Sequence, residues 1–487
     1  MWRANEHTGS YAVATWLFLR ILGAAYLFAF ASLIGQVEGL VGARGILPAG
    51  DFMREAAAWA DATGLGLDRY RLFPTLCWLS TSDGFLVALA TTGAFLSVLQ
   101  IAGIASTVVL PALWLLFLSL NVVGRDFLSF QWDALLLETG VLALAVTPLR
   151  WRHRLSDLVE PPVAGRLLLW WLLFRLMFAS GVVKLASGDA SWRDLTALAV
   201  HYETQPLPTP VAWFLAQWPL WFQKASTALV LAIELVVPWC LLAGWRGRRL
   251  AAVALLVLQL LIALSGNYAY FNLLSAALCI TLLGDDAFGR FASRRPPTAS
   301  NRQRVSPWLA LIIAGLTVPP TLVIFLRQMH VTADPPLVRR WVEWIDPLRS
   351  TNTYGLFAVM TTTRPEIIIE GSTDGVEWRA YEFKFKPGSL DDSPRWVAPF
   401  QPRLDWQMWF AALGRYEEER WFQQFCDRLL TGSPSVRTLL AKDPFDGKPP
   451  RYLRSTLYRY RFAPRGQKAW WIREPLRDYS PVLSLDR

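Results

Sequence analysis

The sequence predicts a polytopic all-α membrane bundle of about nine transmembrane helices, followed by a mixed α/β, mostly antiparallel, soluble C-terminal domain. Three observations predict it. Mean hydropathy is positive, at +0.29. The apolar residues gather in blocks of roughly 18–25, the length a helix needs to cross a bilayer, and all of these blocks precede Arg327. After Arg327 the pattern changes to short runs in which apolar and charged residues alternate, as on half-buried strands. The bundle is therefore assigned to residues 1–326 and the tail to 327–487.

The expected spans are 12–33, 84–104, 108–123, 132–149, 167–184, 222–242, 250–264, 268–283 and 308–326. The first is too long for a signal peptide, contains Arg20 and lacks a small-residue cleavage site, so it reads as a retained helix. Three connections are rich in arginine: Arg150, Arg152, Arg154 and Arg166; Arg246, Arg248 and Arg249; Arg290, Arg294, Arg295, Arg302 and Arg304. Two spans separate each neighbouring pair, so all three share one side. The positive-inside rule makes that side cytoplasmic, with the N-terminus inside and the tail outside. This orientation also accounts for much of the net charge of +10. No nucleic-acid motif accompanies that charge, and no nucleic-acid partner is expected. Four cysteines without a CxxC pair and four scattered histidines argue against a disulfide framework or a metal site.

Ionisable groups inside spans need a reason, since each costs about 2.5–3.5 kcal/mol at mid-membrane. Here they are Arg20, Glu138, Arg175 and Glu234, with Asp133 and Lys184 nearer the outer surface. Residue depth suggests that Arg175 pairs with Glu234, and that Asp133 faces Lys184. Such pairs commonly serve only to fix helix register. Lys184 could also act as a base, because a partly buried lysine, unlike an arginine, can lose its proton near neutral pH.

Two outer segments stand out. Gly124 to Gly140 sets Arg125, Asp126, Gln131 and Asp133 among Phe130 and Trp132, which predicts a packed, hydrogen-bonded corner. The second segment carries His201, Tyr202 and Glu203 ahead of a proline-rich run that ends regular structure. In the tail, strands are expected at 366–370 and 378–386, joined by a turn at 372–375, and at 452–462; helices are expected at 404–413 and 416–430. Trp406, Trp409, Trp470 and Trp471 suit a protein-recognition surface, since Trp, Tyr and Arg dominate interface hot spots.

Four segments carry a resemblance: Phe127-Leu-Ser-Phe-Gln-Trp-Asp-Ala-Leu-Leu-Leu-Glu-Thr-Gly140, His201-Tyr-Glu-Thr-Gln-Pro-Leu-Pro208, Pro399-Phe-Gln-Pro-Arg-Leu-Asp-Trp-Gln-Met-Trp409 and Trp470-Trp-Ile-Arg-Glu474. In this order, and across nearly the whole chain, they resemble the lipase maturation factor family. The resemblance implies a membrane-anchored folding factor for secreted clients such as lipases. It would reside in the endoplasmic reticulum membrane of a eukaryote or the inner membrane of a bacterium, with the tail facing the client. More distantly, Gly181-Val-Val-Lys-Leu with Ser191-Trp192 is similar to the stretch of vitamin K-dependent γ-carboxylases that holds their active-site lysine, and Lys184 falls on that lysine. The remainder of that site has no counterpart here. Two functions therefore stand. One is a non-enzymatic maturation factor without a cofactor, whose partners are membrane lipid and a secreted client. The alternative is a membrane enzyme using Lys184 on a quinone or other lipid-soluble substrate, which requires a cavity beside that residue.

Overall fold

The computed structural model describes residues 10–294, 306–331 and 335–485. Seven of its helices are long and apolar enough to cross a bilayer. Five of these are α1 (Ala12–Ile34), α2 (Asp83–Ala102), α5 (Val163–Ala186), α8 (Gly244–Ser265) and α10 (Pro307–Gln328). The other two are α3 (Ser106–Gly124) and α7 (Leu220–Val236), each continued by a 3₁₀ stretch. Local chemistry sets their ends. The Ser82 and Ser306 hydroxyls accept from backbone N–H groups at the starts of α2 and α10, and Gly103, at φ 73°, closes α2 in a conformation that favours glycine. Gly93 lets α2 lie against the Phe30 ring of α1, where a Cβ would collide.

The remaining two expected spans are shorter than the sequence suggests. The stretch 132–149 forms α4 (Gln131–Ala143), of 13 residues, and 268–283 forms α9 (Phe271–Ile280), of 10. At about 1.5 Å per residue these reach roughly 20 and 15 Å, short of a 30 Å hydrocarbon core. A 3₁₀ turn, Leu144–Val146, follows α4, and most of both short helices is buried against neighbouring elements.

The two ends of the bundle are chemically distinct. At one end Arg166 stacks over Tyr11, Arg248 donates to the Tyr11 hydroxyl, and Ile104 bridges to Arg152. Two of the arginine-rich connections thus meet there. The third lies largely outside the described residues. Arg20 belongs to this end as well: its guanidinium donates to the carbonyls of Gln100 and His153 and lies over Trp16. None of these contacts is with Asp133, Glu138, Arg175, Lys184 or Glu234.

The opposite end carries the tail. After α11 (Pro336–Ile345), the chain builds an antiparallel sheet in the order β2-β1-β5-β6 from β1 (Arg364–Ser372), β2 (Arg379–Ala380), β5 (Tyr452–Phe462) and β6 (Trp471–Leu483). The turn at 372–375 forms, with the Ser372 hydroxyl accepting from the Gly375 N–H. The strand expected at 378–386 is split. Its first part pairs with β1, while β3 (Glu382–Phe383) leaves to pair with β4 (Leu440–Lys442). Helices α12 (Arg403–Leu413) and α13 (Arg420–Leu430) cover the sheet, α13 starting four residues later than expected. One apolar core runs without a break from the bundle into the tail, through Phe127, Trp132, Leu404, Trp406 and Trp421.

Candidate functional site at the seam of bundle and tail

Asp133 sits in the first turn of α4 and Arg403 opens α12. Their side chains form a two-pronged ion pair, Nη1–Oδ2 2.6 Å and Nη2–Oδ1 2.9 Å, with no solvent exposure on either. Tyr270 donates to the same carboxylate at 2.5 Å, Arg403 Nη1 also reaches the Phe127 carbonyl, and Gln36 at the end of α1 accepts the Arg403 backbone N–H. Burial acts to lower the Arg403 pKa. The charge and hydrogen bond of Asp133 outweigh it, so the net shift is upward and the guanidinium stays charged.

This corrects the expected pairing of Asp133 with Lys184, and the second expected pair changes too. Arg175 binds Glu138 and not Glu234. The free oxygen of Glu138 accepts from the Tyr354 hydroxyl at 2.7 Å and from both nitrogens of Asn352 at 3.1 Å. Arg175 in turn donates to the Asn352 carbonyl. Glu234 is taken by Lys184, whose Nζ donates to both carboxylate oxygens at 2.7 and 2.6 Å. Depth along a helix gives no information about azimuth, and two of the carboxylates find partners in the tail.

The aromatic residues expected to face a client are used in the seam instead. Trp132 stacks on Phe130 and takes the edge of Trp406, both at 4.7 Å. Trp409 donates to the Thr204 carbonyl, and Trp471 to that of Asp392. Trp406, Trp409 and Trp471 are buried; Trp470 is half-buried against Trp213. Large rings that fill a seam between two units cannot also present a free surface. Gln131 accepts from the Gly355 N–H, and Glu203 from the Phe462 N–H. Burial raises the Glu203 pKa against the opposing pull of that N–H and of Arg364 and Arg461. Arg364 of β1, fully buried, donates to the carbonyls of Glu203, Gln205 and Pro206 and lies over Trp471. All four resembling segments therefore meet at one seam. Sequence reading missed Asn352, Tyr354 and Arg364 there. Arg403 stood inside a quoted segment without being assigned a role.

Beneath the seam lies a cavity of ≈ 320 Å³, walled by α5, α7 and α8 together with α6 (Ala197–Thr204). Lys184, Glu234, His201, Tyr202 and Tyr268 line it, as do Leu356 and Phe357 from the start of the tail. Phe357 is held at φ 55°; its carbonyl accepts from Trp192, and its ring packs against His201 at 4.6 Å. Burial, with Lys184 adding to it, pushes the His201 pKa down to about 4, so the imidazole is neutral at physiological pH. Among the described residues, no group of three or more His, Cys, Asp or Glu could hold a metal ion.

The family model for the lipase maturation factor transmembrane domain matches residues 13–290, and that for the lipase maturation factor C-terminal domain matches residues 350–481. The chain belongs to the lipase maturation factor family. It is 35% identical to lipase maturation factor 2 of Mus musculus, covering 96% of this chain and 83% of the relative. It is 34% identical to lipase maturation factor 1 of the same species, covering 99% and 89%, and 34% identical to lipase maturation factor 2 of Homo sapiens, covering 96% and 82%. No solved structure matches the chain. The two domain models of the lipase maturation factors meet in the seam: Asp133 and Glu203 lie in the first matched region, and Arg364, Arg403 and Trp409 in the second.

Proposed function

We propose that this protein is a membrane-anchored maturation factor for secreted client proteins such as lipases, acting on the non-cytoplasmic side, where the tail lies. The observation that carries the reading is the similarity to proteins named lipase maturation factors over nearly the whole length of the chain. The seam fits this role, because a bundle that grips the tail through buried charges fixes its orientation at the membrane surface. Two arginine-rich connections gathered at the end away from the tail favour a cytoplasmic location for that end. Client contact then falls to apolar side chains of the tail that remain exposed, among them Trp396, Ile472 and Leu476.

The cavity that a membrane enzyme would need is present beside Lys184, but the amine that would serve as base is engaged by both oxygens of Glu234. The maturation reading is therefore the one carried forward. It is tested by co-expressing the full chain with a secreted lipase in cells lacking other family members, with a photocrosslinking residue at Trp396 or Leu476. Crosslinks to the immature lipase and a rise in secreted lipase activity are expected. A chain that inserts and folds yet leaves lipase activity unchanged overturns the reading.

A further inference from the structure

The cavity beside Lys184 has three properties that together define an occupant. Its wall is largely aliphatic, with Leu176, Leu198, Leu215, Val230, Ile233 and Leu258 among its lining, and its size is in the range of small-molecule sites. It reaches the lipid-facing surface: Leu229 of α7 and Leu261 and Leu264 of α8, which also line it, are exposed on helices that span the membrane. Its polar lining includes His201, Tyr202 and Tyr268, which lie outside the long spanning helices.

Those polar groups can be assigned in sequence. Gln205 Nε2 donates to the carbonyls of Tyr202 and Ser265, so its Oε1 is an acceptor. Tyr268 therefore donates its hydroxyl hydrogen to that oxygen, at 2.9 Å. The contact between His201 Nε2 and the Tyr268 oxygen, also 2.9 Å, must then be a donation from the histidine. This places the imidazole proton on Nε2 and leaves Nδ1 as an acceptor with no partner among the described residues. The Tyr202 hydroxyl likewise makes no hydrogen bond within the described residues, although the side chain is only 6% exposed and lines the cavity. A hydroxyl on a largely buried side chain that lines a cavity and lacks a protein partner is placed to take one from an occupant. The Lys184–Glu234 pair is self-neutralising, so a charged ligand would enter an apolar cavity without a counter-charge.

We propose that this cavity binds a neutral, lipid-soluble alcohol, entering from the bilayer between α7 and α8 with its hydroxyl turned toward His201 and Tyr202. A hydroxyl can accept from Tyr202 and donate to His201 Nδ1; a ketone or ether can only accept, and a carboxylate brings an uncompensated charge. Since Leu356 and Phe357 close the cavity from the tail side, an occupant would also brace the first residues of the tail. The site is independent of the maturation role, and the test reads binding alone.

The test uses the full chain in nanodiscs and an octadecanol bearing a diazirine and an alkyne. Saturable labelling within residues 176–268 is expected, competed by unlabelled octadecanol about tenfold better than by its methyl ether or by stearate. Tyr202→Phe should weaken labelling about tenfold, the equivalent of one lost hydrogen bond. Ser226→Trp, which places an indole in the cavity, should abolish it. Both variants should keep the parent's unfolding temperature. Should Ser226→Trp fail to fold, Tyr202→Phe carries the decision. Unsaturable labelling spread over all lipid-facing helices, or labelling unchanged in a folded Tyr202→Phe protein, overturns the site. Equal competition by stearate overturns the neutral head group.

Discussion

Arg403 of the tail and Asp133 of the bundle hold each other through two hydrogen bonds with no solvent on either side chain. Removing one member leaves a buried charge without its partner, whereas replacing both with apolar residues of similar volume removes the desolvation cost as well. Arg403→Met alone should destabilise the protein by about 3–5 kcal/mol, read as a lowered unfolding temperature in detergent. Arg403→Met with Asp133→Leu should recover most of that loss, despite the stranded Tyr270 hydroxyl.

The Lys184–Glu234 pair allows a cleaner separation of structure from function, because neither residue belongs to the tail. Lys184→Met should lower stability by an amount similar to that of Glu234→Leu, and the double variant should restore it. Under the maturation reading, the double variant still supports secretion of active lipase. A stable double variant that has lost all lipase maturation would assign Lys184 a chemical role.

His201 predicts a pH signature. Its pKa is depressed to about 4 in the folded protein, mainly by burial, against about 6.5 unfolded. Between these values the unfolded chain binds more protons, so stability is full above about pH 6.5 and falls as pH drops toward 4, by roughly 1–3 kcal/mol. His153, depressed to about 3 by burial and by Arg20 and Arg150, contributes a slope of the same sign. His201→Gln should therefore flatten the unfolding temperature between pH 6.5 and 4 only in part, with the difference from the parent measuring His201.

Glu138 gathers Arg175, Asn352 and Tyr354 around one carboxylate. Tyr354→Phe removes one donor and should cost about 1–3 kcal/mol, since a buried acceptor loses part of its satisfaction. Limited proteolysis between α10 and β1 should quicken in that variant and remain unchanged in Trp396→Ala, which alters only an exposed side chain.

Most of the architecture was legible because hydrophobic block length and strand alternation are local signals. The long helices and β1, α12 and β5 followed from them. The short helices α4 and α9 were overcalled, since an apolar stretch does not reveal whether neighbours or lipid will surround it. Strand β6 was missed because Pro475, Pro481 and four charged residues hide its period, which an edge strand tolerates. The resembling segments contained the right residues, but their roles came out inverted. Trp406 and Trp471 look like recognition residues by type and prove to be packing, because nothing local announces that a segment near residue 130 will meet one near 403.

The seam also sets an order of events in synthesis. Asp133 is made about 270 residues before Arg403, and at ribosomal elongation rates that interval is roughly 14–54 s. Through that interval α4 carries a carboxylate with no cation to meet it, a poor candidate for stable insertion on its own. Translation of the last third of the chain thus completes the first third. Quality control that monitors exposed intramembrane charge would register every truncated or tail-misfolded product as a membrane defect.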